Sequence, residues 1–361
     1  MEERDDYEKL RDQINTDEQQ ERLKSLKDEE YEDAFEFHQD EIFSSIEDDG
    51  FHMEMIKSVS SAFIPDSEVS KETGYNFLFT EPLVEKGVKN FDVLLYNTES
   101  GSAVFIECKS SISDRSINGV LEDTEEAIEA VQENKGYLER QIGDQIKHTG
   151  FVIMTRATDI QSIKEREWNF ENNESTFLWY IDVFQDKRIM IERSKGTHDH
   201  KRLAEKMKKG ISVDDRRVDI ELIYNTNNYR ALKKVLIDIL FENRKKGVDD
   251  HKEFDEERIA ETLNDMIQMG ASNKDDLIVD KAKDLEEIAQ KCGVIKEGNE
   301  RDYRIVSSYS KVKGIKEDIK NKVVDTIADQ RADRDARERA VKRFRKGDGS
   351  GQQDLGLFSN S

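Results

Sequence analysis

The sequence predicts an α/β protein with a mixed central sheet flanked by helices, followed by a mainly helical C-terminal part. Short apolar runs that resemble strands alternate with amphipathic helices between residues 51 and 195. Two of these runs, 91–97 and 102–111, are joined by a polar turn that is typical of a hairpin. Helical periodicity dominates from residue 200 to 346. We therefore expect a charged helical arm (1–48), an α/β domain (49–195), a helical domain (200–346) and a tail (347–361).

Composition limits the class of protein. The chain has 361 residues, of which 38% are charged and 35% hydrophobic, and its formal net charge is −23. This charge opposes binding to nucleic acid unless basic residues form local patches, which the chain does contain. No segment resembles a membrane span, and the N-terminus is charged where an export signal would be apolar. The two cysteines cannot form a disulfide framework, so we expect an intracellular, cytoplasmic protein that binds no membrane.

The N-terminal arm is rich in charged residues and contains apolar side chains at helical spacing. Tyr7, Leu10 and Ile14 form one such set, and Leu23 and Leu26 form another. We expect one or two thin amphipathic helices. Either the arm packs on the main domain, or it serves self-association and supports a homodimer.

The α/β region is predicted element by element. A helix, "FHMEMIKSVSSAFI", precedes the strand "YNFLFTEPLV". The strands "FDVLLYN" and "SAVFIECKSS" form the hairpin, and a helical stretch follows from residue 124 to 148. The run "GFVIMT" is apolar throughout, which is typical of a strand covered on both faces. "STFLWYIDVF" and "KRIMIERS" add two further strands.

The C-terminal part contains strong amphipathic helices at 228–247, 255–270 and 276–293. The next segment, "VIKEGNERDYRIV", has the form of a hairpin with "EGNE" as its turn. Helices that end in a hairpin outline a winged helix-turn-helix, a DNA-binding unit. The alternative is a generic helical packing or dimerisation domain. A long helix then follows from residue 315 and becomes arginine-rich near its end.

Three charged residues lie on the predicted hairpin: Asp92, Glu107 and Lys109. An acid on a buried strand is costly unless it is paired or binds a metal. Residues two apart on a strand share a face, and the start of one hairpin strand lies beside the end of the other, so these side chains converge. Two carboxylates and an ammonium suit Mg²⁺, which polarises a phosphodiester and activates a bound water. The alternative is a cross-strand salt bridge between Lys109 and Asp92, with Glu107 facing water.

The order of helix, strand, Asp-bearing strand, turn, Glu-x-Lys strand, helix and apolar strand, over about 51–160, resembles the core of the PD-(D/E)xK nuclease superfamily. The proline that often precedes the aspartate is replaced by Phe91. The resemblance implies a restriction-endonuclease-like fold. It also implies that Asp92, Glu107 and the backbone carbonyl of Cys108 bind Mg²⁺, for which Mn²⁺ can substitute. Lys109 would position the attacking water or stabilise the developing charge.

Many members of this superfamily add an acid from the preceding helix. Glu54 is our candidate, because it is the acid in the otherwise apolar or basic "FHMEMIKS". Glu47 and Glu41 are substitutes for it.

The tail carries a second pattern. In "QQDLGLFSN", Gln352, Leu355 and Phe358 stand at spacing i, i+3, i+6, which resembles the peptide that docks on the sliding clamp PCNA. Ser359 replaces the second aromatic of that peptide. The alternative is an apolar tail without a role.

Two basic runs are candidates for contacts with DNA phosphates. One contains Lys201 and Arg202, and the other contains Lys342, Arg343 and Arg345. The alternative is a solvated helix face balanced by neighbouring acids.

Together these features predict a Mg²⁺-dependent DNA endonuclease of repair or replication, archaeal, and recruited by the sliding clamp. A restriction or anti-phage nuclease is the first alternative. A non-catalytic DNA-binding or clamp-associated scaffold is the second, and it predicts no metal binding at Asp92.

Overall fold

A computed structural model describes residues 6–112, 116–160, 176–182, 188–195, 200–213, 220, 222–223, 228–247, 252–255, 257–268, 270, 273–298, 302–309 and 311–347. The chain divides into two compact units. Unit 1 comprises Met1–Ser45, Lys291–Val294 and Ser307–Ser361, and unit 2 comprises Ile46–Gln290 and Ile295–Val306. None of the helices in the described ranges is long and apolar enough to cross a bilayer.

Unit 1 is built from helices at the two ends of the chain. They are α1 (Asp6–Gln13), the first part of α2 (Asp17–Ala62) and α10 (Val312–Gly347). Tyr7 and Leu23 pack with Val341 and Phe344 in one apolar cluster. Small side chains on α10 allow close helix packing, since alanines recur at every fourth position and are fully buried: Ala328, Ala332, Ala336 and Ala340.

The N-terminal arm therefore packs on the C-terminal helix of its own chain. Lys27 pairs with Asp333 at 2.6 Å, and Glu30 pairs with Arg343 at 2.7 Å. The sequence predicted packing on the main domain, whereas these contacts are with the C-terminal helix of unit 1. A boundary at residue 48 was expected, and the two units divide close to it, between Ser45 and Ile46, although α2 continues without a break to Ala62. It contains no proline, and the single Gly50 costs a helix only about 1 kcal/mol.

Unit 2 contains a seven-stranded mixed sheet in the part of the chain that is described, with strand order β1-β2-β3-β4-β5-β6-β7. The predicted mixed α/β sheet is confirmed. Pairing is antiparallel from β1 to β3, parallel for β3-β4 and β4-β5, and antiparallel from β5 to β7. The strands are β1 (Asn76–Thr80), β2 (Val93–Asn97), β3 (Ser102–Lys109), β4 (His148–Arg156), β5 (Thr176–Ile181), β6 (Arg188–Lys195) and β7 (Ile211–Ser212).

The first strand ends earlier than the sequence pattern predicted, at Thr80 rather than Val84. Glu81 adopts a positive φ of 49°, and Pro82 follows without an N–H to donate to a sheet. The backbone N–H of Glu81 still donates to the carbonyl of Asp92 at 3.2 Å. The chain thus turns away from β1 close to the start of β2.

Helices cover both faces of the sheet. The C-terminal end of α2 packs on one face through residues such as Val59, and α6 (Lys201–Lys209) packs on the same face through Leu203. On the other face, α4 (Ile117–Glu133) and α5 (Lys135–Ile142) pack through Ile128 and Leu138. The short α3 (Glu68–Thr73) precedes β1. Because α4 and α5 connect the parallel strands β3 and β4, the segment is a β-α-β crossover.

The rest of unit 2 has the order α7 (Asn228–Lys246), β8 (Glu253–Asp255), α8 (Arg258–Met266), α9 (Lys274–Lys291), β9 (Ile295–Glu297) and β10 (Asp302–Ile305). The three strands form a sheet of order β8-β10-β9, which confirms the predicted hairpin. A separate domain was expected from residue 200, but residues 200–290 lie in unit 2. The reason is packing, since Leu203, Met207 and Ile211 belong to the same core as β3.

Candidate active site

The hairpin brings the predicted acids together. Val93 pairs with Ile106, so Asp92 and Glu107 follow at the next position of the β2-β3 ladder. The backbone N–H of Asp92 donates to the carbonyl of Ile106 at 3.0 Å, which holds Asp92 beside β3. At the turn, Gly101 has a φ of +69°, a conformation that favours glycine.

Asp92 is buried, with 1% of its surface exposed. Its Oδ2 accepts a hydrogen bond from the backbone N–H of Cys108 at 2.7 Å and lies 3.1 Å from Nε2 of His52. Burial raises the pKa of Asp92, but His52, the Cys108 N–H and Lys109 outweigh burial and lower it below its ordinary value. Asp92 is therefore held as a carboxylate.

Glu107 and Lys109 form an ion pair, with 2.6 Å between Lys109 Nζ and Glu107 Oε1. Burial and the charge of Asp92 raise the pKa of Glu107 from 4.5 to about 7. Burial lowers the pKa of Lys109, but the charge of Glu107 outweighs it and raises the pKa above its ordinary value. The salt bridge expected under the alternative interpretation, between Lys109 and Asp92, is not the one formed. Glu107 is also largely buried, with 13% of its side chain exposed, rather than facing water.

Each carboxylate keeps one oxygen that is buried without a hydrogen-bond partner: Asp92 Oδ1 and Glu107 Oε2. Such atoms are costly unless a ligand satisfies them. Two anionic oxygens suit a hard divalent cation. No group of three or more His, Cys, Asp or Glu side chains in the described ranges is arranged to hold a metal ion alone.

The helix before the sheet contributes His52, which sequence reasoning did not select. Burial lowers the pKa of His52, but the charges of Asp92 and Glu107 raise it overall. His52 is thus an α2 residue that contacts one of the predicted acids. Glu54 is half-buried, and its catalytic role stays a prediction. Among the substitutes, Glu47 is exposed, and Glu41 contacts His38 in unit 1.

Asp49 and Arg230 form a second charged pair, and Asp49 acts electrostatically on His52. Asp49 lies one helical turn earlier on α2 and raises the pKa of His52. Asp49 Oδ2 lies 3.4 Å from Nε of Arg230 on α7. Positive and negative groups therefore alternate from α7 through α2 to Asp92. The sequence contained little indication that these residues lie close together, because they are far apart along the chain.

A cavity of about 710 Å³ opens beside Glu107 and Lys109. Its other lining residues are Glu81, Val84, Gly87, Val88, Lys89, Asn90, Phe91 and Asp123. The Glu107–Lys109 pair thus faces a space large enough for a ligand. Asp92 is buried behind it.

The predicted basic residues lie on two helices. Lys201 and Arg202 are exposed at the start of α6, where Lys201 approaches Glu205 at 3.9 Å. On α10, Arg343 pairs with Glu30, while Lys342 and Arg345 are exposed and line a cavity of about 370 Å³ in unit 1. The predicted clamp-binding residues lie outside the described residues: Gln352, Leu355 and Phe358.

Comparison with known proteins finds sequence similarity to an archaeal protein. The chain is 21% identical over 354 residues to an uncharacterized protein of Archaeoglobus fulgidus, covering 90% of this chain and 94% of that protein. No protein-family model and no solved structure matches the chain. The fold and the site together define an α/β protein with a buried pair of carboxylates beside a lysine.

Proposed function

We propose that this protein is a divalent-metal-dependent nuclease that hydrolyses phosphodiester bonds of DNA, built on a restriction-endonuclease-like core. The observation that carries the proposal is the pair of orphaned oxygens, Asp92 Oδ1 and Glu107 Oε2, beside Lys109. Asp92 is buried and Glu107 is largely buried, where an unsatisfied anion is unfavourable, and this supports a cation as their ligand.

Each residue of the site would have a distinct role in the proposed reaction. Asp92 and Glu107 would hold Mg²⁺ or Mn²⁺ with the carbonyl of Cys108, and the metal supplies Lewis-acid activation of water and phosphate. Lys109 keeps its proton at neutral pH because its pKa is raised. Lys109 would position the attacking water or stabilise negative charge that develops on the phosphate. His52 orients the carboxylate of Asp92 through its 3.1 Å contact.

Repair or replication is the proposed setting. The relative comes from an archaeon, and the tail sequence resembles a peptide for the archaeal and eukaryotic sliding clamp. A clamp-binding peptide would raise the local concentration of the nuclease on DNA. The proposal of a repair enzyme over a defence nuclease depends on this peptide.

The winged helix-turn-helix is proposed for residues 228–305. The order helix-strand-helix-helix-strand-strand and the sheet order β8-β10-β9 support it. The helix that would enter a major groove is α9, and its exposed side is mainly acidic. Its exposed charged residues are Asp275, Asp276, Asp280, Lys283, Asp284, Glu287 and Lys291. Phosphates would be repelled there, which argues against a role for α9 in reading DNA.

The test is cleavage of labelled branched, mismatched, single-stranded and duplex DNA with Mg²⁺ or Mn²⁺. Wild type is compared with Asp92→Asn, Glu107→Gln and Lys109→Met, which keep side-chain size while changing charge. Glu125→Gln, an exposed glutamate on α4, is the matched control. We expect the three site variants to lose cleavage and the control to retain it.

Equal cleavage by wild type and all three site variants would assign the activity to a contaminant. No cleavage by wild type under any condition, together with no metal binding, would support the scaffold alternative. A second arm adds a sliding clamp and a Phe358→Ala variant. Stimulation lost in that variant would support recruitment through the tail.

A further inference from the structure

A second lysine faces the cavity beside Glu107 and Lys109. Lys89 lies in the loop before β2, and its ammonium donates a hydrogen bond to Asp123 Oδ1 on α4. Both residues line the cavity. Half of each side chain is exposed, 50% for Lys89 and 48% for Asp123. The pair therefore links two elements at a solvent-accessible wall of the site.

Asp123 interacts electrostatically with both lysines of the cavity, Lys89 and Lys109. The hydrogen bond from Lys89 lowers the pKa of Asp123, and the charge of Lys109 lowers it further. In return, Asp123 raises the pKa of Lys109. Both lysines of the cavity are thus paired with carboxylates of the protein in the ligand-free chain.

Lys89 is one of the few positively charged residues that line the cavity. Its ionisable lining residues are Glu81, Lys89, Glu107, Lys109 and Asp123, so acids outnumber bases. Binding of a polyanion such as nucleic acid in this cavity would depend on each positively charged side chain that lines it. An exposed salt bridge contributes little to stability, whereas a lysine bound to phosphate makes a charge-assisted hydrogen bond. Exchange of Asp123 for a phosphate would therefore replace one charge-assisted hydrogen bond of Lys89 by another and would break a salt bridge that contributes little to stability.

We propose that Lys89 is a substrate-binding residue that holds a nucleic-acid phosphate next to the reacting one, and that Asp123 competes for it in the free protein. The inference rests on the proposed nuclease function. It assigns to Lys89 a role in binding, separate from the role of Lys109 in the reaction.

The test measures binding of fluorescently labelled single-stranded and duplex DNA by anisotropy, with Ca²⁺ in place of Mg²⁺ so that the DNA stays intact. Lys89→Ala should weaken binding about tenfold and reduce the slope of log affinity against log salt by about one. Asp123→Asn should tighten binding severalfold, because it releases Lys89. Lys89→Arg keeps the charge and should retain the affinity.

The chain provides a matched control pair, Lys71 and Asp66, which are 3.8 Å apart and more exposed, at 66% and 92%. They are not among the lining residues of the cavity. Lys71→Ala and Asp66→Asn should leave affinity and salt dependence unchanged. In cleavage assays, Lys89→Ala should raise KM with little change in kcat, whereas Lys109→Met should lower kcat.

If wild type binds and cleaves DNA, but Lys89→Ala and Asp123→Asn behave like their controls, the proposal for Lys89 is overturned and the nuclease proposal stands. A loss in Lys89→Arg equal to that in Lys89→Ala would also overturn it, because charge would not be the cause. Wild type that neither binds nor cleaves DNA would overturn both proposals together.

Discussion

Replacing Glu107 with glutamine tests the electrostatic character of the site without any assumption about catalysis. In the metal-free protein, burial and Asp92 raise the pKa of Glu107 from 4.5 to about 7. The folded state then binds this proton more tightly than the unfolded chain does. Below about pH 4.5, Glu107 is protonated in the folded and the unfolded state, and its ionisation does not destabilise the folded protein. The free energy of unfolding falls as the pH rises through about 7, because the folded protein then loses this proton.

The size of the effect follows from the same two values. At about 1.4 kcal/mol per pKa unit, the difference between 4.5 and about 7 corresponds to about 3 kcal/mol. Glutamine does not ionise, so Glu107→Gln avoids this loss. Relative to wild type, the variant should gain up to about 3 kcal/mol between about pH 4.5 and about pH 8.

The assay is urea denaturation in a chelator at several pH values, followed by tryptophan fluorescence. Trp179 is fully buried in the core of unit 2, so its fluorescence reports on the unit that holds the site. Glu125→Gln is the control and should track wild type at every pH. Parallel pH profiles for wild type and Glu107→Gln would refute the argument, because they would show that Glu107 ionises normally.

Three further outcomes are expected. His52→Ala should weaken Mn²⁺ binding about tenfold or more in calorimetric titration, and Glu54→Ala should leave Mn²⁺ binding unchanged. If Glu54→Ala weakened binding and His52→Ala did not, Glu54 would be the α2 residue that supports the metal site. Mn²⁺ at about a hundred times its dissociation constant should raise the free energy of unfolding by about 2.7 kcal/mol in wild type but not in Asp92→Asn. Equal shifts in both would place the metal elsewhere. Gly101→Ala should lower the free energy of unfolding in urea by about 1–2 kcal/mol, because φ is +69° and the new Cβ would meet Lys147 at 3.0 Å. Unchanged stability would show that the turn relaxes.

The sequence predicted the parts of the site that are local. The turn before Gly101 and the apolar runs on either side of it predicted the hairpin, and the hairpin alone places Asp92 near Glu107. Residue spacing also predicted that Glu107 and Lys109 share a face, and they form a 2.6 Å ion pair. Selection of Glu54 depended on composition around it, which does not show which side of α2 faces the sheet.

The sequence by itself therefore determined the α/β class, the hairpin and the meeting of Asp92, Glu107 and Lys109, because hydrophobic alternation and turn residues act over a few neighbouring positions. Only the tertiary structure decided that His52, 40 residues before Asp92, contacts it. It also decided that the N-terminal arm packs on the C-terminal helix. It decided the raised pKa of Glu107 as well, since burial and long-range pairing depend on how whole elements pack and not on local pattern.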